Sequence, residues 1–142
     1  MWEALLDRVF AEREVVEAVT ALLPVAASEV QVVSDLAVGE VRPGARVLCE
    51  RQIQKGEFLC RLSIYLRDQR LRIFHEREFF QGLAGTFQCR CLVADSSPSP
   101  HSMLLLRGPG RTSQAWLDPD RLEREEYVLI RSGRTAPDKR GH

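Results

Sequence analysis

Apolar and polar positions alternate most regularly in two stretches on either side of Lys55-Gly56. In RVLCERQIQ and EFLCRLSIYL the period is two, as in strands with one buried face. The pair reads as a β-hairpin over residues 46–65. A two-residue turn at Lys55-Gly56 sets paired positions that sum to 111. Val47, Cys49, Arg51, Ile53, Phe58, Cys60, Leu62 and Ile64 then share an apolar inner face, with Cys49 and Cys60 as diagonal neighbours. Leu48, Glu50, Gln52, Gln54, Glu57, Leu59, Arg61, Ser63 and Tyr65 share the outer face. Glu50 falls opposite Arg61, a favourable cross-strand pair.

The pattern elsewhere is less regular. Trp2, Leu5, Leu6, Val9, Val16, Val19 and Leu23 are spaced as on an amphipathic helix over residues 2–23, which a break near Ala11–Arg13 would divide and Pro24 ends. The valine-rich EVQVVSDL (29–36) predicts a strand, and AVGEVRPGA a loop. Phe79, Phe80 and Leu83, followed by Gly85 as a stop, predict a helix over 75–84. FQCRCLVA (87–94) is a strand. Residues 95–101, with three serines and two prolines, form a loop whose ends are fixed and whose middle is free. MLLLR and TSQAWL make a second hairpin around GPGR. Asp118-Pro119 caps a short helical turn over 119–125, and YVLIR (127–131) is a last strand.

The element order is therefore α-β-β-β-α-β-β-β-β. It predicts an α+β fold: a mostly antiparallel sheet of about six or seven strands, with an N-terminal helix and a central helix packed on it. Residues 1–131 form a single domain, and 132–142 a flexible C-terminal tail.

Composition narrows the class. With 44% hydrophobic and 28% charged residues the chain is globular, and at 142 residues it needs no disulfide staples to fold. No apolar run reaches the ~20 residues of a membrane span, and the acidic start excludes a secretory signal. A cytoplasmic location follows as the expectation. Charge is balanced overall but not along the chain. Residues 1–40 hold two basic and eight acidic groups, a net of −6, and residues 41–142 hold 18 basic and 12 acidic, a net of +6. An acidic first element lying over a basic body, or a charged partner, accounts for this. Arginine far outnumbers lysine and asparagine is absent, which points to a GC-rich bacterial genome rather than to a nucleic-acid surface.

Candidate chemistry is sparse. Cys49, Cys60, Cys89 and Cys91 all occupy inner-face positions where valine would serve, so they read as core thiols. C-x-C along a strand is not the spacing of a structural zinc site. His75-Glu76 lacks the second histidine of a zinc-protease helix, since that position is Phe79. No G-x-S-x-G elbow is present, and GPGR lacks the lysine of a phosphate-binding loop. No catalytic set, metal site or cofactor is expected.

These exclusions favour a non-enzymatic bacterial protein acting by protein–protein contact, such as an inhibitor, immunity-type protein, adaptor or chaperone-like protein. A protein partner is expected, with room for a homodimer, and no membrane. The partner surface is assigned to Ser97, Ser99 and His101 in the Pro/Ser loop, where two prolines limit the ordering cost of binding, and to Leu48, Leu59 and Tyr65, which interrupt the polar outer row of the hairpin. The alternative is a small enzyme assembled around His75, His101, Asp95 and a cysteine. A third reading, nucleic-acid binding through the arginines, is disfavoured by the zero net charge and by a basic tail without aromatics.

Overall fold

A computed structural model describes residues 1–35 and 40–130. The chain begins with a strand, β1 (Trp2–Leu6), where the helical spacing predicted the start of a helix. Adjacent apolar residues suit a strand buried on both faces as well as they suit a helix. Ala4 and Leu6 enter one core while Leu5 enters another on the opposite side. The predicted helix survives only in its second half, α1 (Glu12–Leu22), with Val15, Ala18 and Val19 buried. The Glu14 carboxylate accepts the Ala11 N–H at 2.9 Å and so satisfies one free donor at the helix start.

A short 3-10 turn (Ala27–Glu29) leads into β2 (Val30–Val33), which pairs in parallel with β3 (Val47–Ile53). Next come β4 (Lys55–Gly56), β5 (Cys60–Leu66), a 3-10 turn (Gln69–Ile73) and α2 (Glu76–Phe87). The chain continues through β6 (Cys91–Ala94), β7 (Ser102–Leu106), β8 (Thr112–Trp116), α3 (Pro119–Glu123) and β9 (Glu126–Tyr127). Seven strands make one sheet in the order β2-β3-β5-β1-β6-β7-β8, antiparallel except for β2/β3. The fold is α+β, as the pattern predicted.

The central hairpin forms, but its register is two residues from the predicted one. Glu50 pairs with Ser63, Gln52 with Arg61 and Ile53 with Cys60, so the expected Glu50–Arg61 pair is absent. Lys55-Gly56 is not the turn. It leaves the hairpin as β4 and pairs in parallel with β9, and the connection closes through Gln54 N–H to the Leu59 carbonyl at 2.8 Å. A slide of two residues keeps every strand position on its face, because the side-chain period is two. Cys49, Cys60, Leu62 and Ile64 therefore stay inside, although Cys49 and Cys60 are no longer diagonal neighbours. Phe58 is lost from that face and packs in the opposite core, and Ile53 is 62% exposed.

Further boundaries move for local reasons. Gly85 does not stop α2, which runs to Phe87 and is capped by Gln88 in the left-handed conformation (φ 52°). The next strand therefore begins at Cys91 rather than at residue 87. Asp118 caps α3 as expected, accepting from Asp120 N–H at 3.0 Å. The last strand is reduced to Glu126–Tyr127 and a bridge between Leu117 and Leu129. Arg131 and the predicted tail, 132–142, lie outside the described residues. Among the described residues no helix is long and apolar enough to cross a membrane.

Helices α1 and α2 cover one face of the sheet and bury the larger core, from Ala4 and Leu6 to Cys91 and Leu106. Among the described residues the other face is covered over part of its width. Leu5, Leu92, Leu105, Ala115 and Leu117 pack there with Phe58, under Leu122, Tyr127 and Leu129 of the last segment.

Candidate binding pocket

Where this covered strip ends, the second face carries the hairpin's outer row, and a recess lies between the two. Its apolar wall comes from Leu5 on β1, Leu92 on β6, Met103 on β7, Leu117, Leu122 on α3 and Pro100 of the Pro/Ser loop. Its polar rim is Glu3, Arg61 and Tyr127, and its volume is about 150 Å³.

Each polar group is positioned by pairing. Arg61 sits on β5 between Leu5 of β1 and Gln52 of β3. Its Nη2 donates to the Tyr127 hydroxyl at 2.6 Å, and the guanidinium carbon lies 5.5 Å from that ring's centre. Tyr127 is placed by β4: its carbonyl accepts the N–H groups of Glu57 and Phe58 at 2.8 and 3.1 Å. Gly56 makes this contact possible, because at φ 103° a Cβ there would lie 2.6 Å from the Tyr127 nitrogen. Glu3 accepts the Ser63 hydroxyl at 3.3 Å, across the β1–β5 pair. One donor is left over: Arg61 Nε is buried and has no hydrogen-bond partner among the described residues. The titratable groups at the recess are Glu3, Arg61 and Tyr127, and among the described residues no histidine or cysteine lines it.

None of the residues nominated from the sequence lines this recess. Leu48 is 6% exposed, Tyr65 half-buried, and Leu59 is in the loop after β4 with its N–H bonded to the Leu6 carbonyl at 2.9 Å. The middle of the Pro/Ser loop is tied rather than free. Asp95 accepts from Ser97 N–H, the Ser97 hydroxyl from Ser99 N–H, and the Ser99 hydroxyl from His101 N–H, at 2.9, 3.1 and 3.3 Å. Asp95 also accepts from Ser102 Oγ at 2.5 Å and from Gln114 Nε2 at 2.6 Å, and the Ser102 bond above all holds its carboxyl below the usual range. The two nominated surfaces meet at the recess through Arg61 of the one and Pro100 of the other. The sequence pattern does not point to Tyr127 or Glu3 as site residues. The first is far along the chain, and the second falls in a stretch with helical spacing.

The groups of the enzyme alternative are not joined. No hydrogen bond links either histidine to Asp95 or to a cysteine among the described residues. His75 lines a separate recess with Leu22, Phe74 and Phe79. All four cysteines are buried in the helix-side core as free thiols. Burial pushes the Cys49 thiol up to about 12 and raises Cys60. A hydrogen bond between Cys89 and Cys91 lowers the first thiol and, with burial, raises the second. Among the described residues no three His, Cys, Asp or Glu side chains are grouped to hold a metal ion.

No protein-family model matches the chain, and none of the curated proteins or solved structures matches it significantly.

Proposed function

We propose that the chain is a non-enzymatic binding domain acting by protein–protein contact, and that the recess beside Arg61 receives a side chain of the partner. The observation that carries this reading is the combination of an apolar recess with one carboxylate, Glu3, and one cation, Arg61, whose Nε–H lacks an acceptor among the described residues. A peptide segment matches that set. Its apolar side chain fills the recess, its carbonyl accepts from the guanidinium, and its N–H donates to Glu3. An acidic group at the rim would be repelled by Glu3, and a basic one by Arg61. The recess of about 150 Å³ has the size of an engineered cavity that takes up benzene, so a leucine, methionine or phenylalanine side chain suits it. Leaving a donor buried and unpaired costs roughly 1–3 kcal/mol, which a partner's carbonyl offsets once the guanidinium turns toward it. An inhibitor, an immunity-type protein, an adaptor and a chaperone-like protein can all use such a surface.

Selection of displayed random short peptides on the immobilised chain tests this. The expected result is enrichment of one large apolar residue at a fixed position. Arg61→Gln, and Leu122→Trp to fill the recess, should each weaken the selected peptides about tenfold or more, roughly 1.4 kcal/mol or above, while melting temperatures change little. Absence of enrichment, or peptides indifferent to both substitutions, would overturn the reading.

A further inference from the structure

At the C-terminal end of α2 the β7–β8 turn docks against the helix through two glycines. A Cβ on Gly85 would lie 3.6 Å from the Gly108 Cα, and one on Gly108 would lie 3.5 Å from the Gly85 Cα. The turn is closed by Arg107 N–H to the Arg111 carbonyl at 2.9 Å and by Arg111 N–H to the Gly108 carbonyl at 3.0 Å. This fixes the backbones of Arg107 and Arg111 beside a cleft of about 390 Å³, whose other walls include Asp7, Gln88, Cys89 and Arg90. Arg90 is already engaged, donating from Nε to Asp7 at 2.9 Å and from Nη2 to Glu57 at 3.1 Å. No ion pair or side-chain hydrogen bond engages Arg107 or Arg111 among the described residues.

Part of that charge answers the helix. The last turn of α2 has no basic residue of its own, and a helix C-terminus carries about half a negative charge. With Glu57, which also pairs with Arg90, three arginines stand against two carboxylates here, a net of +1. Roughly half a positive charge remains once the helix end is offset, and it sits on Arg107 and Arg111, the two arginines without a carboxylate partner among the described residues. Gln88 is held at the rim in a left-handed conformation rare for its type, where its side-chain amide adds a further donor.

We propose that this cleft binds the phosphate group of a small phosphorylated molecule, with Arg107 and Arg111 closing on its oxygens. Guanidinium groups pair two-pronged with phosphate oxygens, and Arg107 and Arg111 are the two in this cleft that no carboxylate engages among the described residues. Among the described residues no aromatic side chain lines the cleft, so recognition centres on the phosphate rather than on a stacked base.

Titration of the full-length, isotope-labelled chain with inorganic phosphate, at ionic strength held constant with chloride, tests the proposal by amide resonances. Saturable shifts confined to Gly85, Gln88, Cys89 and the residues of the turn are expected. Arg107→Gln with Arg111→Gln should weaken the apparent affinity about tenfold or more while the rest of the spectrum stays native. Glycerol phosphate, bearing the same group on a small molecule, should bind at least as well as inorganic phosphate. Shifts spread over the surface, no saturation, or equal binding by the double variant would overturn it. So would binding of inorganic phosphate with exclusion of the phosphomonoester. This result would be independent of the peptide selection at Arg61.

Discussion

Asp68 shows how single side chains join segments in this fold. Its Oδ2 accepts from Arg46 Nε at 2.6 Å and from Arg70 Nη2 at 2.9 Å, and its Oδ1 from Arg70 N–H at 2.9 Å. These bonds, the Arg70 guanidinium's first, hold the carboxyl well below the usual range. A carboxyl depressed in the folded state contributes stability above its unfolded value of about 3.9, and that contribution is lost as pH falls through the folded value. Asp68→Asn should therefore lower the melting temperature near about pH 7, and the gap from the parent should narrow progressively as pH falls below about 4. A gap equally wide at about pH 3 would place the effect elsewhere than in the charge. Cys49, with no exposed surface, carries a different expectation. Replacement by serine buries a hydroxyl and should cost about 1–3 kcal/mol in urea unfolding. A neutral result would mean that the hydroxyl finds a partner in this core. Cys49, Cys60 and Cys91 could be read from the sequence because alternation along their strands puts them inside, whereas Cys89 is buried ahead of β6 and not on a strand. The recess could not, because Tyr127 reaches Arg61 from 66 residues away.

Among the elements, success and failure divide by how local the deciding interaction is. The Asp118 cap on α3 and the β7–β8 hairpin were legible, since their signals lie within a few residues. Strand β1 was not, because WEALL fits a helical stripe as well as a strand with apolar groups on both sides, and only its two neighbours decide. Lys55-Gly56 has the composition of a tight turn, yet β9 captures it. Gly56→Ala tests that capture, because the new Cβ would meet the Tyr127 backbone in a conformation alanine resists. The variant should lose roughly 1 kcal/mol or more. Its Glu57 and Phe58 amides, which donate to Tyr127, should exchange with solvent faster than the β3–β5 amides do. Unchanged exchange at those two amides would refute the role given to β4.

Across the whole molecule the division of charge is partly internal. Asp7–Arg90 and Glu29–Arg46 join the acidic first part to the basic remainder, while Arg8–Glu14 and Arg13–Glu17 stay within the first. The sheet divides differently, with one face closed by helices and the other closed over part of its width by the last segment. Its centre is the strand nearest the start of the chain. Leu6 pairs with Cys60 on one side and with Cys91 on the other. During synthesis β1 therefore exists long before either neighbour. At about 5–20 residues per second the wait for both is on the order of 5–20 s. For that interval Trp2, Leu5 and Leu6 form a short greasy segment with open strand edges, the kind of stretch that nascent-chain chaperones hold and that aggregates when it is not held. The order of emergence thus makes the sheet a structure that closes late, with its oldest strand inserted between two younger ones.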